Sequence, residues 1–289
     1  MAAVTLGVGY VGPPASAPKR RRRWVGAVVG AWIVVLALIS WWSIRNDPAT
    51  VPEQRSIEQA MPSLREAAGV LLTAAENAAA RGGPVPWAVR LGEVRSESCS
   101  LTPVRPGVQG SRDVVLYVPQ GQAKAAFDQV AAALPGDFHA SVLATRVATR
   151  LSFYADAGNF IAIDGEAQPD DQVLVLSAGT GCRPGTTAGG SDPAPGAAPA
   201  VLGETLAALG GPAGAAVTTE AVACPGGGTA ATYQATAGRS GDGPRGVPAG
   251  VTPVWSQAGG WAYAQGPVFV VVDDNGENLR LSVTTTCGQ

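Results

Sequence analysis

Side chains that carry chemistry are scarce in this chain. It has one histidine, His139, and two lysines, of which only Lys124 lies beyond residue 23. His139 follows a Pro-Gly-Asp-Phe turn, with no serine or cysteine nucleophile in a recognisable elbow, and reads as an ordinary strand or loop residue. No Ser-x-x-Lys occurs, and Lys124 falls on a predicted helix away from its apolar face. Gly238-Arg239-Ser240-Gly241 reads as a turn, and Gly190-Ser191-Asp192 as part of a linker. The four cysteines include no close pair, the nearest being Cys182 and Cys224, so with a single histidine no metal site is expected. Glycine clusters such as Gly226-Gly227-Gly228 do not join a strand to a helix in a parallel unit, so no phosphate loop and no cofactor is expected.

What the chain does have is a long uncharged run. Residues 24–44 (WVGAVVGAWIVVLALISWWSI) hold no charge, and Lys19, Arg20, Arg21, Arg22 and Arg23 stand directly before them. At about 1.5 Å per residue the run reaches roughly 31 Å, enough to cross a hydrocarbon core of roughly 30 Å. Arg45 is the sole cation just past the other end, so the positive-inside rule predicts residues 1–23 in the cytoplasm and residues 45–289 outside. Trp24 at one end and Trp41 and Trp42 at the other suit the two interfaces. A cleaved signal peptide would want a shorter apolar core and small residues at its end. A lipoprotein would need a cysteine well before Cys99. The basic cluster as a nucleic-acid patch is the weakest alternative, since topology and anionic headgroups account for it. Beyond residue 23, 15 cations face all 22 acids, a formal charge of −7, which argues against binding an anionic polymer; no nucleic-acid partner is expected. The Ala/Gly/Arg-rich vocabulary resembles that of a high-GC bacterial proteome.

All four cysteines, Cys99, Cys182, Cys224 and Cys287, lie beyond this run. An even number in an oxidising compartment reads as two disulfides, and sequence allows three pairings. An internal repeat favours one of them. Tyr154-Ala, then Phe160-Ile-Ala-Ile-Asp164, then Cys182, is echoed by Tyr263-Ala, Phe269-Val-Val-Val-Asp273 and Cys287, with the Tyr, Phe and Asp at a constant offset of 109. Each copy also opens on a cysteine beside a strand-like segment, so Cys99–Cys182 and Cys224–Cys287 are expected. They close loops of roughly 84 and 64 residues, each worth about 4 kcal/mol in the chain-entropy model.

The expected fold class is α+β: a single N-terminal transmembrane helix, a juxtamembrane helix, then two disulfide-closed, β-rich duplicated modules. The boundaries read 1–23 tail, 24–44 membrane helix, 45–83 juxtamembrane helix, 84–183 first repeat, 184–200 Pro/Gly/Ala linker and 201–289 second repeat. Two separate domains are expected, with one pseudo-symmetric unit as the alternative. In the first copy, strands are predicted at 94–98, 114–118, 139–145 and 150–154, with a helix over 121–134 burying Ala123, Phe127, Val130 and Leu134 and stopping at Pro135-Gly136. The second copy has a Gly/Arg/Pro-rich loop over 237–250 instead. Asp164 and Asp273 are each expected to open a hairpin turn, the second carrying Asn275-Gly276. Ile57, Met61, Leu64, Ala68, Leu71, Ala75 and Ala78 form a heptad-type stripe. Pro62 sits inside it, so the helix is taken to begin there, with Gly82-Gly83-Pro84 as its stop. The stripe suits packing on the protein's own domain or a parallel dimer stalk. Gly26-x-x-x-Gly30 and Ala27-x-x-x-Ala31 add a small-residue face in the membrane helix, and a homodimer is the self-association these features would support.

Candidate functional residues are few. Asp164/Glu166, Asp170/Asp171 and Asp273/Asp274/Glu277 pair carboxylates, but all fall in expected turns, where such residues favour the backbone, and the spacing is not that of an EF-hand. Trp255, Trp261 and Tyr263 read either as core or as an exposed aromatic platform for a glycan or partner chain. The functional expectation is therefore a non-enzymatic, membrane-anchored cell-envelope protein binding another envelope protein or a wall polymer. A carboxylate-dependent hydrolase and a sensor ectodomain with a membrane partner are the alternatives.

Overall fold

The computed structural model describes residues 19–46, 55–80, 86–145, 150–187, 189–239, 244–274 and 278–287. The 1–18 tail, the Gly82-Gly83-Pro84 stop and the Asn275-Gly276-Glu277 turn lie outside the described residues. The chain forms two compact units, 1–49 and 50–289. In the first, α1 (Lys19–Asn46) contains Trp24–Trp42, 19 residues of mean hydropathy 2.2 with apolar side chains exposed along the helix. By length and composition it can cross a membrane; a signal sequence meets the same description.

The second unit opens with α2 (Ile57–Ala80). A reciprocal capping box starts it: the Ser56 backbone N–H donates to Gln59 Oε1 (3.1 Å), and the Gln59 N–H donates to Ser56 Oγ (3.4 Å). The helix thus begins at Ile57, upstream of Pro62, which is exposed and costs the ladder one donor without ending it. The whole heptad stripe is buried, together with Ala60, Ala67, Leu72 and Ala74. That wide apolar face packs within its own chain rather than standing free as a dimer seam.

The first module's strands are β1 (Ala88–Thr102), β2 (Arg105–Tyr117), β3 (Ser141–Ala144), β4 (Leu151–Asp156), β5 (Ala162–Ala167) and β6 (Val173–Arg183), with α3 (Ala123–Ala133) between β2 and β3. The second module has α4 (Ala200–Ala208), then β7 (Val217–Ala223), β8 (Thr229–Arg239), β9 (Trp255–Gln257), β10 (Gly260–Gln265), β11 (Val268–Asp274) and β12 (Asn278–Thr285). Both sheets are antiparallel and six-stranded, with orders β1-β2-β6-β5-β4-β3 and β7-β8-β12-β11-β10-β9. The duplication is therefore complete at the level of topology. Both expected disulfides are formed, Cys99–Cys182 and Cys224–Cys287.

The repeat extends further than its sequence motif. A helix precedes the first strand of each copy, so α2 is the counterpart of α4, a helix not anticipated at the linker's end. Helices α2 and α3 cover one face of the first sheet, with Phe127 against Phe153 (5.6 Å between ring centroids). Helix α4 covers one face of the second sheet through Val201, Leu202 and Leu209. The second sheet's other face receives β1: the Leu91 N–H donates to Thr232 Oγ1 (3.0 Å), which lies 2.8 Å from Thr284 Oγ1. Val222, Ala230, Ala262 and Val271 of the second module thus join the first module's core. At Gly69 of α2, a β-carbon would collide with the Ala223 carbonyl, so glycine is what lets α2 reach β7. Residues 50–289 thus form one compact unit whose core runs through both modules.

The sequence motif and the structural repeat are out of step. Leu176 and Leu281 both lie on the helix-covered face of their own sheet, and they pair with Val114 and Ala235. Ile163 pairs with Ala178, and Val270 with Val283. Their successors, Asp164 and Val271, pair with Tyr154 and Ala262. The structural counterpart of Tyr154 is thus Ala262, not Tyr263, and a slip of one residue reverses the face. Tyr154 is half exposed while Tyr263 is fully buried. Likewise Phe160 sits in the β4–β5 hairpin loop at φ 57°, whereas Phe269 is inside β11. Asp164 lies within β5 on its exposed side, and the turn follows at 168–172 instead.

Candidate functional site

Two features join the modules, and neither stood out in the sequence. The first is Arg112 on β2, fully buried in spite of its charge. Its Nε donates to the Gly92 carbonyl (3.0 Å), and Nη1 and Nη2 form a bidentate pair with Asp192 Oδ1 and Oδ2 (3.0 and 2.7 Å). Nη1 also donates to the Ala221 carbonyl (3.0 Å), and Nη2 reaches Glu220 at 3.4 Å. Asp192 in turn accepts from the Ala221 N–H (3.0 Å) and from Arg65 Nε of α2 (3.3 Å). A residue of the Pro/Gly/Ala stretch therefore bridges α2, β2 and β7. Burial resists ionisation of Asp192, but Arg112, the Ala221 N–H and Arg65 outweigh it and hold its carboxyl below the usual carboxylate range. This cluster is satisfied and structural.

The second is a cleft of about 370 Å³ between the end of α2 and the β10–β11 hairpin. Trp87, Phe269, Pro86, Pro267, Ala79 and Ala264 give it apolar walls, and Asn77 and Thr286 lie at its border. Trp87 is fixed by its indole N–H, which donates to the Ala75 carbonyl (3.1 Å). Glu76 stands in the wall and is only 5% exposed. Its Oε2 accepts from the Cys287 N–H (2.8 Å), tying α2 to the second disulfide, while its buried Oε1 has no hydrogen-bond partner. Burial raises its pKa from the ordinary 4.5 to about 7, against the lowering effect of the Cys287 N–H. An apolar cleft with one convergent, perturbed acid has the character of a ligand site.

A third recess, between β1–β2 and the second sheet, is polar. Arg90, Arg95 and Arg280 line it together with Glu93, Asp113 and Glu220, so its charges balance. Arg95 is already engaged with Asp113 through two hydrogen bonds (2.5 and 2.8 Å).

The residues singled out from sequence have other roles. Trp255, Trp261 and Tyr263 are buried, so they form core and not an exposed platform. Trp255 meets Tyr117 across the modules (5.0 Å between centroids), and Trp261 and Tyr263 fill the second sheet's α4 side. Asp164 has a raised pKa from partial burial and from Glu166 and Asp113, but Glu166 is paired with Arg150. Asp273 lies in β11 of the other sheet, so Asp164 and Asp273 do not form a pair. His139 is exposed just before β3, and Lys124 pairs with Asp128 on the outside of α3. Among the described residues no cluster of His, Cys, Asp and Glu could hold a metal. Cys99, Cys182, Cys224 and Cys287 are all in disulfides, and Lys19 with Arg20, Arg21, Arg22 and Arg23 begins α1.

Glu76 did leave a trace in the sequence. Ala68, Leu72 and Glu76 lie along one i,i+4 row, so an acid interrupts an apolar row. Asp192 is the lone charged residue in 184–200, a weaker trace.

No family model and no curated protein matches the sequence. Among solved structures it is similar to the crystal structure of a DUF4853 family protein from Actinomyces odontolyticus, at 17% identity and a TM-score of 0.33, over 64% of this chain and 96% of that one. A likeness of that size assigns no function.

Proposed function

We propose that this is a single-pass, membrane-anchored cell-envelope protein whose C-terminal unit stands outside the membrane and acts by binding rather than catalysis. The observation that carries the reading is the pairing of an apolar helix of membrane length with a unit closed by two disulfides. Disulfides of this kind persist in oxidising compartments. The basic residues at 19–23 favour a cytoplasmic N-terminus. The binding role is supported by the apolar cleft beside Glu76, and the partner is another envelope protein or a wall polymer. The bilayer itself is the partner of α1.

The test uses the full chain with a C-terminal tag in intact cells. External protease should remove the tag while the protein sediments with membranes after alkaline extraction. A protected tag reverses the orientation, and a freely soluble processed form makes α1 a signal sequence. Crosslinking in the same cells, read by mass spectrometry, should then recover a defined set of envelope components.

A further inference from the structure

We infer that the cleft between the end of α2 and the β10–β11 hairpin is a binding site for a small, largely apolar molecule bearing one ammonium head, which pairs with the free carboxylate oxygen of Glu76. This rests on the binding role proposed above, though not on the membrane placement. Three observations define the ligand. The cavity volume of about 370 Å³, at ~30 Å³ per water-sized group, takes on the order of a dozen non-hydrogen atoms. Its walls are aromatic rings, prolines and alanines, so most of those atoms should be carbon.

The polar requirement is as narrow. Glu76 is the one ionisable side chain among the described residues lining the cleft. It is more than nine-tenths buried, and one of its oxygens is engaged with the Cys287 N–H while Oε1 has no partner. A buried carboxylate with a vacant acceptor is costly unless a donor, and best a cation, completes it. A head that brings both the donor and the opposite charge answers both needs at once. The aromatic walls add attraction for a cation at the ring faces. Burial of Glu76 agrees with this role, because without a counter-charge the buried carboxyl keeps its proton up to about pH 7, and an ammonium beside it favours the ionised form.

The test is titration of the full-length protein in detergent with 2-phenylethylammonium and with its neutral isostere 2-phenylethanol, at pH 8, by ligand-observed NMR. The amine should bind at least about tenfold more tightly than the alcohol. Glu76→Gln should reduce amine affinity by about the same factor and leave the alcohol unaffected. Ala264→Trp, at an exposed position on the cleft wall, should abolish binding of both. Equal affinities for amine and alcohol, no binding of the amine up to about 10 mM, or amine binding unchanged in Ala264→Trp would each overturn the inference. The amine-to-alcohol ratio on the unaltered protein decides the matter even if Glu76→Gln does not fold. Failure of the protease-accessibility test leaves this titration readable, and the reverse also holds.

Discussion

The two modules share a strand order but fill their cores differently. In the first, α3 contributes Phe127, which packs on Phe153 of β4, and small Ala155 follows two residues on. Among the described residues the second has no helix there. By the ladder register, the counterparts of Phe153 and Ala155 are Trp261 and Tyr263, both buried. Bulk that one module takes from a helix the other takes from its own strand. The Tyr263 hydroxyl also donates to the Gly246 carbonyl (3.1 Å), and Val247 and Val251 pack on the same core, so residues 246–251 are fastened over it. The difference shows that a repeated sheet can keep its topology while the covering layer is rebuilt around it.

Cutting the connection between the modules should have the largest effect. Asp192→Ala leaves Arg112 buried without its bidentate partner, a loss of about 4 kcal/mol in chemical denaturation. A change below about 1 kcal/mol would mean that the linker merely passes by. Next comes the tyrosine pair. Tyr263→Ala should cost about 3 kcal/mol through the cavity it leaves, and matching stability in both tyrosine variants would refute the one-residue slip. Glu76 gives a somewhat smaller, pH-dependent effect. Its folded pKa is raised, so the folded state holds more protons than the unfolded chain between pH 4.5 and about 7. The stability linked to this group is fully present below pH 4.5 and is lost as pH rises to about 7. Denaturation midpoints of Glu76→Gln should lack that decline, and by pH 8 the variant should be more stable by roughly 2 kcal/mol. The smallest effect is expected for Tyr154→Ala, within about 0.5 kcal/mol in the same assay, since the ring is half exposed.

Much of the architecture was legible because it follows from local periodicity. The Phe127 face of α3, the α2 stripe and the strands around 114–118 and 150–154 announce themselves through spacing of apolar residues. The cysteine pairing was legible because each copy has its own opening and closing cysteine. The 109-residue offset misled because a motif match does not count the residues in a hairpin. Module one takes five residues over 157–161, where module two turns on Gly266-Pro267 alone. Helix α4 was missed because nine residues with Gly203 inside them, next to a Pro/Gly/Ala stretch, give little periodic signal. The cleft could not be read at all, since it joins residues 76–87 to residues 264–286 and neither segment names the other.

The Arg112–Asp192 contact also bears on how this chain can be divided. Cys182 closes the first disulfide, and the Pro/Gly/Ala stretch after it looks like a natural place to separate one repeat from the next. A first repeat released there would carry away a buried guanidinium whose counter-charge lies nine residues downstream of Arg183. The second repeat would keep an acid with nothing to neutralise. Either copy moved alone into another protein would therefore carry one half of a charge pair made for the other.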